Sequence, residues 1–556
     1  MNSPNPALVT QRAAARLPRL ALLLFCAAYV LPGLFGRDPW KNADITAFGY
    51  MRNMARGVSS WWAPTIAGLP SDPALLPYWL GATSIRLLGP LAGEAFAARV
   101  PFALLLVATL TLAWYSSYQL ARSEAAQPLP FAFGGEAAPI DYARAIADGA
   151  LLALIASLGL LQLGHETTPE LAQLAGVSLL LYGLAASETS RVRATLAVGM
   201  ALPALAASGA PSIALALGVV TTLLCALSIS AVSRRFAPVL AAATAAAALV
   251  GWLLGAWAWR IETSPSLTQA FGIGRQLVWF LWPVGPLALW TLWRWRRQVV
   301  QRHIAVPLAC ALVPVAASLA MGGSDRALML ALPPLAVLAA FALPTLSRAS
   351  AAAIDWFSVF FFSISALVIW VIYVAMQTGV PAQPAANVAR LAPGFVAPFS
   401  PLALGFAAAG TLAWLWLVRW RTGRNRHPLW KSLVLAASGV ALCWLLLMTL
   451  WLPLLDYARS YRPLVDRIAQ HLPRGSCVAA PDLPRGALVA LAFFGDYRVD
   501  ATSKPGASAC AVWLKSETSA RPSVADSGWV LVAHTARPTD RQERVAIYRR
   551  ADAARR

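Results

Sequence analysis

The chain has 556 residues, of which 58% are hydrophobic and 12% are charged, and its formal net charge is +21. An ordinary soluble domain is about 45–50% apolar and about 25% charged, so this composition excludes a soluble globular enzyme, a disordered chain and a coiled coil. The six cysteines are scattered, without a CxxC or a Cys/His cluster, which excludes a disulfide scaffold and a cysteine zinc site.

Apolar runs long enough to cross a bilayer dominate the chain between residues 20 and 455, after a tail at 1–19. Because a membrane helix needs about 20 mostly apolar residues, we predict a mainly α-helical, polytopic membrane protein with about 13 transmembrane helices. No small-x-small cleavage site follows the first span, so it does not read as a cleaved signal peptide. The predicted spans are 20–36, 99–120, 149–164, 171–187, 194–208, 212–232, 236–258, 277–293, 304–321, 328–346, 356–376, 400–418 and 431–453.

A long loop at 37–98 follows the first span and has few charges. Ile45, Phe48, Met51 and Ala55 share one face of a predicted helix, and a second short helix is predicted from Tyr78 to Leu88. We expect both helices to lie in the membrane interface rather than to span it.

A polar insert at 121–148 separates the second and third spans. Its PLPFAFGGEAAP stretch is rich in proline, glycine and alanine, and it lacks the GxxxxGK[ST] pattern of a phosphate loop. We therefore interpret the insert as a linker.

The basic residues are concentrated on one side of the predicted membrane domain. With the N-terminus in the cytoplasm, nineteen Lys/Arg fall in cytoplasmic segments and four in the short loops opposite, which places the C-terminus in the periplasm. Most of the positive charge thus reflects topology at span ends, and we predict no nucleic-acid partner.

The last segment, 456–556, has a soluble composition and is predicted to be a small periplasmic α/β domain. A helix at about 459–472 and a second helix near 485–494 accompany four short strands. Cys477 and Cys510 are its only cysteines, so an extracytoplasmic disulfide is an open alternative to two free thiols. The predicted strands are Cys477–Ala480, Cys510–Leu514, Trp529–His534 and Arg544–Tyr548.

Acidic residues on the outer side are the first candidates for chemistry, because charges near the hydrocarbon are costly and often functional. Asp44 falls in the first turn of the predicted loop helix, where the helix dipole favours an anion. It is a candidate catalytic residue, or alternatively only the cap of that helix. Asp38 is the second candidate carboxylate, and Lys41 can pair with Asp44 or bind a phosphate.

His165 and Glu166 begin the next outer loop, GHETTPEL. Glu166 is a candidate second catalytic carboxylate, and the two side chains together can ligate a divalent cation such as Mg, Mn or Zn. The alternative is a simple polar turn.

Three arginines border the outer loops and can hold a lipid phosphate. Arg326 opens a span from the outside, and Arg260 and Arg275 flank another outer loop. The alternative for each is an interfacial arginine whose side chain reaches towards the water.

The first loop resembles that of the GT-C polyprenyl-phosphate-sugar glycosyltransferases. Within RDPWKNADITAFGYMRNMARG and the stretch that follows, Trp61–Gly68 matches W-x-x-P-x-x-x-G and Tyr78–Ala82 matches a YYWLGA-like run. The pattern is most similar to the branch that contains the lipid A aminoarabinose transferase and the protein mannosyltransferases, family 39/83-like. Residues 277–296 and the stretch 325–338 also look similar to later spans of that family.

The resemblance implies an inner-membrane glycosyltransferase. A polyprenyl-phosphate-linked sugar would enter from the bilayer, and a glycolipid such as lipid A, a glycan or a protein would accept the sugar in the periplasm. It implies Asp44 as general base, with Glu166 as a possible second carboxylate, and Lys41, Arg275 and Arg326 at the phosphate. Asp44→Asn is then expected to abolish transfer and to leave folding intact.

Two departures from the family pattern bear on the donor. The acidic pair is reduced to Asp44 followed by Ile45, and no lysine precedes the YYWLGA-like run. The alternatives are therefore a membrane transporter or lipid flippase, and a catalytically inactive GT-C relative. A transporter would place ionisable residues or broken helices near the middle of the membrane.

Overall fold

The computed structural model describes residues 6–257, 267–422, 428–504, 506–517, 528–540 and 543–551. Helices make up most of it, as the apolar composition predicts. Within its described residues, eight segments are long and apolar enough to cross a membrane, judged by length and composition. The predicted total of 13 spans stays a prediction.

In the described first half of the chain, ten α-helices accompany one small antiparallel hairpin in the first loop. The elements are α1 (Arg19–Val30), α2 (Ala43–Ala55), β1 (Thr65–Ile66), β2 (Leu69–Pro70), α3 (Leu75–Ala92), α4 (Glu94–Ala121), α5 (Pro139–Ile155), α6 (Leu158–Leu163), α7 (Pro169–Ala186), α8 (Arg191–Ala207), α9 (Pro211–Ala226) and α10 (Ala231–Leu253).

The second half of the membrane domain continues as helices of very different lengths. The elements are α11 (Leu267–Phe280), α12 (Val284–Arg294), α13 (Arg302–Ala320), α14 (Asp325–Met329), α15 (Leu332–Ala340), α16 (Arg348–Thr378), α17 (Ala382–Leu391), α18 (Pro401–Thr422), α19 (Lys431–Thr449) and α20 (Leu452–Arg459).

The C-terminal segment forms a five-stranded mixed sheet with helices. The predicted helix near 485–494 is confirmed, and the strand Arg498–Asp500, labelled β4, was not predicted. The sheet order is β4-β3-β5-β7-β6, with β3 parallel to both of its neighbours and the other pairs antiparallel. Cys477 and Cys510 form a disulfide. The elements are α21 (Arg462–Ala469), β3 (Cys477–Ala479), α22 (Arg485–Phe494), β4 (Arg498–Asp500), β5 (Val512–Glu517), β6 (Trp529–Ala536) and β7 (Arg544–Arg550).

Among the predicted spans that are interrupted, two have interruptions that meet. The span 277–293 is divided between α11 and α12, and Pro283, which has no backbone N–H to donate, comes directly before α12. The span 149–164 is divided between α5 and α6, and the Leu158 backbone N–H donates to the Trp282 carbonyl at 3.1 Å. Each break thereby satisfies backbone groups that would be costly to leave unpaired in lipid.

The first-loop helix α2 is buried on most of its sides, which differs from the predicted one-sided helix in the interface. Its buried residues include Asp44 and Arg52 as well as the apolar Ile45, Phe48 and Met51. The reason is that α3 covers one side and α22 of the C-terminal segment covers another. The end of α3 instead exposes Leu87 and Leu91, as a helix at a lipid surface would.

Two glycines allow α2 to pack this closely. A Cβ on Gly81 of the YYWLGA-like run would overlap the Met51 thioether, and a Cβ on Gly49 would overlap the Val489 side chain of α22. Phe48 and Phe493 meet edge to face at 4.8 Å between ring centroids across the same contact. The loop and the C-terminal segment are therefore held together by direct packing.

Gly49→Val is expected to lower the free energy of unfolding by about 1–3 kcal/mol, because extra methyl groups in a filled contact force side chains out of place. Thermal unfolding of the purified protein in detergent measures the change. Gly405→Val is the control, since a Cβ on Gly405 in α18 would meet nothing within 4 Å. Equal unfolding temperatures for the two variants would contradict the packing role of Gly49.

The insert at 121–148 is ordered, so its interpretation as a bare linker is wrong. Backbone N–H groups of Leu129 and Ala137 donate to carbonyls of Ala7 and Val9 at 3.0 Å, and the segment from Pro139 onwards belongs to α5. The glycine- and proline-rich composition here serves turns that let the segment pair with the N-terminal tail.

Candidate functional site

Trp40 lies at the centre of a group of charged side chains where the first loop meets the end of the membrane domain. We call this group the Trp40 cluster, and its members besides Trp40 are Arg37, Asp38, Asp44, Asp456, Arg459 and Arg462. The Trp40 backbone N–H donates to Asp44 at 3.0 Å and its indole N–H to Asp456 at 2.8 Å. The Arg37 and Arg459 guanidinium carbons both lie over the Trp40 ring, at 4.6 and 5.0 Å from the centroid.

Asp44 is ionised, and both of its carboxylate oxygens accept hydrogen bonds. One oxygen accepts from the backbone N–H and hydroxyl of Thr167 at 2.8 and 2.7 Å, and the other accepts from Trp40 and, at 3.3 Å, from Arg37. Burial opposes the charge, but Arg37, Arg99 and the Thr167 hydrogen bonds outweigh it and hold the pKa of Asp44 below its usual value. With 2% of its surface exposed, Asp44 joins the loop to the start of α7.

Asp38 and Asp456 form a second pair of carboxylates in the cluster. Asp38 accepts two hydrogen bonds from Arg462 at 2.7 and 2.8 Å, and its backbone N–H donates to Asp456 at 3.3 Å. Burial, assisted by the charge of Asp38, raises the pKa of Asp456 to about 6. Asp456 is thus a carboxyl group that exchanges its proton close to neutral pH.

Glu166 and Arg326 are brought together beside α7. The Arg326 guanidinium donates to Glu166 at 2.6 Å and to Glu170 at 3.2 Å, and Gln162 donates to the other Glu166 oxygen at 2.9 Å. Two carboxylates therefore already neutralise the arginine that was predicted to hold a phosphate.

His165 has both ring nitrogens turned to the backbone. Nδ1 lies 2.7 Å from the Leu161 carbonyl and Nε2 lies 2.9 Å from the Tyr29 carbonyl, and burial lowers the pKa of His165 to about 4. In the described part of the chain, no three His, Cys, Asp or Glu side chains group as a metal site would require. His165 and Glu166 already have protein partners at both ring nitrogens and both carboxylate oxygens, and their role as ligands of a divalent cation stays a prediction.

The other predicted phosphate ligands are dispersed. Lys41 pairs with Asp540 of the C-terminal segment at 3.5 Å. Arg275 is exposed on α11, and no ion pair joins it to the Trp40 cluster within the described residues. Arg260 lies outside the described residues.

Asp456 and Arg459 are the site residues that sequence reasoning missed. Asp456 is the first residue of the segment 456–556, which the sequence assigns to a separate soluble domain, so it was not counted among the acids of the outer loops. Arg459 is half-buried and, unlike the exposed Arg462 that pairs with Asp38, has no side-chain hydrogen bond to an acid within the described residues. Burial lowers the pKa of Arg459 and the nearby Glu166 opposes that shift. The charge of Arg99 helps to lower the pKa of Asp44. Its position at the start of a predicted span, where a charge is costly, was the sequence signal that could have identified it.

Solved structures with a similar fold exist. The crystal structure of ArnT from Cupriavidus metallidurans bound to undecaprenyl phosphate aligns with a TM-score of 0.61 at 15% identity, over 96% of this chain and 97% of that one. The apo form of ArnT from the same organism gives 0.62 and 15%, over 95% and 98%. The sequence matches no protein-family model and no curated protein. The predicted fold class, a mainly helical polytopic membrane domain with a small C-terminal α/β domain, is confirmed, and the fold is similar to that of ArnT.

Proposed function

We propose that this chain is a bacterial inner-membrane glycosyltransferase that moves a sugar from a polyprenyl-phosphate donor to a glycolipid, glycan or protein acceptor in the periplasm. The observation that carries the proposal is the Trp40 cluster, where carboxylates and arginines meet at one end of a fold shared with a protein solved with undecaprenyl phosphate. The proposal includes the predicted topology, with the N-terminus in the cytoplasm and the C-terminus in the periplasm.

The proposed reaction needs one base and one cationic site. An acceptor oxygen or nitrogen attacks the anomeric carbon, the bond from that carbon to the phosphate oxygen breaks, and the phosphate leaves with the electron pair. A carboxylate takes the acceptor proton, and preplaced positive charge stabilises the developing phosphate dianion. The cluster contains both kinds of group.

Two carboxylates are candidates for the base. The sequence predicts Asp44, and that role stays a prediction. Asp456 suits the task better, because a general base works best when its pKa is near the operating pH, whereas the low pKa of Asp44 favours a fixed anion that positions Arg37. In this proposal Glu166 positions Arg326 in the same way as Asp44 positions Arg37.

Arg459 is the proposed phosphate contact. Its guanidinium stacks on Trp40 and faces Glu166, and no side-chain hydrogen bond ties it to an acid among the described residues. A lipid phosphate can therefore approach it without breaking an existing ion pair. Arg326, Arg275, Lys41 and Arg260 stay as predicted secondary contacts.

Arg459→Gln is expected to raise KM for the polyprenyl-phosphate donor about 10- to 100-fold, because a hydrogen bond to a charged group contributes about 1.5–3 kcal/mol. Arg459→Lys keeps the charge and is expected to recover part of the loss. Steady-state kinetics on washed membranes give KM, and thermal unfolding reports folding. Arg474→Gln on the exposed surface is the control, and an unchanged KM for Arg459→Gln would remove Arg459 from donor binding.

The paired helix breaks are the feature closest to the transporter alternative. Transporters often place ionisable residues at such breaks. Here the residues at 156–157 and 281–283 are Ala, Ser, Leu, Trp and Pro, so the meeting point carries no charge. The charged groups gather instead at the Trp40 cluster, which supports chemistry at the membrane surface.

The test compares envelope glycolipids, glycans and proteins by mass spectrometry. The strains are wild type, a deletion, and the deletion complemented with wild type, Asp456→Asn or the control Asp466→Asn, whose side chain is exposed on α21. We expect one sugar mass to disappear in the deletion and in Asp456→Asn, and to return with wild type and Asp466→Asn. An unchanged envelope in a strain that produces the protein would overturn the proposal in favour of a transporter or an inactive relative.

A further inference from the structure

A groove of about 670 Å³ runs between α1, α4 and α5, at the end of the membrane domain where the N-terminal tail lies. Its volume is within the range of about 300–1,000 Å³ that is usual for ligand pockets. It is separate from the Trp40 cluster, with which it shares no residue. The walls are mostly apolar and include Leu22, Leu23, Cys26, Val107, Leu110 and Leu151.

Three arginines border one end of the groove. Arg16 and Arg19 are exposed, and no ion pair joins either to an acid within the described residues; Arg144 lies 4.0 Å from Asp141. Asp148, the acid inside the groove, is buried and accepts from the Leu17 backbone N–H and the Trp114 indole, both at 2.9 Å. The rim therefore keeps a net positive charge.

The shape of the groove matches one leaflet of a bilayer. The lining residues of α4 run from Val107 to Tyr118, which at about 1.5 Å per residue is a rise of about 16.5 Å. Half of a hydrocarbon core of about 30 Å is close to this length. Trp114, Tyr115 and Tyr118 lie towards the arginine end, where aromatic side chains mark the boundary between hydrocarbon and headgroups.

The groove is open to the surface that contacts lipid. Leu20, Leu23 and Leu24 of the short apolar helix α1 are 60–70% exposed, and apolar side chains exposed on a membrane domain contact acyl chains. A ligand with an apolar chain and an anionic head can thus enter sideways from the bilayer, whereas a water-soluble anion would find mostly apolar walls.

We propose that this groove binds one anionic phospholipid from the leaflet on the N-terminal side. The phosphate lies among Arg16, Arg19 and Arg144, and one acyl chain lies between α1 and α4. Basic pockets between transmembrane helices recognise anionic headgroups by this charge complementarity. The site does not depend on the proposed transfer reaction, and its test needs no enzymatic activity.

Native mass spectrometry of the delipidated full-length protein in detergent tests the proposal. The probes are phosphatidylglycerol, phosphatidylcholine with the same chains, and glycerol 3-phosphate. We expect the wild type to retain one tightly bound phosphatidylglycerol. The double variant Arg16→Gln/Arg19→Gln is expected to bind this lipid at least about tenfold more weakly, because each arginine near the membrane surface adds to the electrostatic attraction of an anionic headgroup. Thr111→Trp, which fills the groove from α4, is expected to remove the bound lipid.

The control is Arg191→Gln/Arg193→Gln, which removes two exposed arginines at the start of α8. An equal loss of lipid in this control would show a general effect of charge and overturn the proposal. Equal retention of phosphatidylcholine would overturn the role of the phosphate charge. Displacement of the lipid by equimolar glycerol 3-phosphate would indicate a headgroup site and overturn the role of the apolar groove. Thermal unfolding confirms that each variant is folded.

Discussion

Asp44→Asn is expected to lower the free energy of unfolding by about 3–5 kcal/mol and to abolish transfer, because it leaves a buried charge without its partner. The Arg37 side chain is completely buried and Asp44 is its ion-pair partner, at 3.3 Å. The introduced amide would also direct its N–H groups at the donors of Trp40, Thr167 or Arg37. This revises the expectation from sequence that Asp44→Asn leaves folding intact.

Thermal unfolding and transfer in washed membranes measure the two losses. The double variant Arg37→Gln/Asp44→Asn separates pairing from chemistry, since removing both charges avoids the unpaired guanidinium. We expect this double variant to recover much of the stability and none of the activity. Asp466→Asn serves as the control. A single variant as stable as wild type would contradict the ion-pair role of Asp44.

Asp456→Asn is expected to lower kcat about 10²- to 10⁴-fold, the usual contribution of a general base, while the protein stays folded. The side-chain oxygen of asparagine can still accept the Trp40 indole N–H, so the main contact of this side chain is retained. Because wild-type Asp456 must be deprotonated to act, kcat/KM of the wild type should rise with pH through about 6.

The pH profile distinguishes this role from a structural one. In Asp456→Asn the residual activity should lose the rise near pH 6, whereas a variant that is merely less stable would keep it at reduced amplitude. Asp456→Glu restores a carboxyl group and is expected to recover a pH-dependent rate. An unaltered profile in Asp456→Asn would assign the base to another carboxylate, with Asp44 the next candidate.

The helical framework follows from local sequence, and its interruptions do not. Every predicted span contains a helix, because apolar runs and their borders are local features. Neither break was predicted: Pro283 comes directly before α12, but Pro101 and Pro238 lie inside unbroken helices, and the break at Ala156–Ser157 has no proline at all. It depends on the contact with Trp282, which only tertiary structure supplies.

The sequence predicted the site residues of the first loop, but not the residues from other parts of the chain that contact them. Asp38, Lys41 and Asp44 stand out by position and charge, and Gly81 of the resemblance motif proves to be a packing position against Met51. Asp456 accepts a hydrogen bond from the indole N–H of Trp40, 416 positions away in the sequence, and no helix or strand periodicity connects residues so far apart. The Thr167 contact with Asp44, across 123 positions, was hidden for the same reason.

The C-terminal sheet contains a covalent link whose formation depends on its surroundings. Cys477 at the start of β3 is bonded to Cys510, which lies two residues before the parallel neighbour β5. Such bonds persist in the periplasm and are reduced in the cytosol. Their oxidation state in living cells, read by alkylation before and after reduction, therefore reports which side of the membrane the sheet occupies. The protein thus contains an internal reporter of its own orientation, independent of any activity.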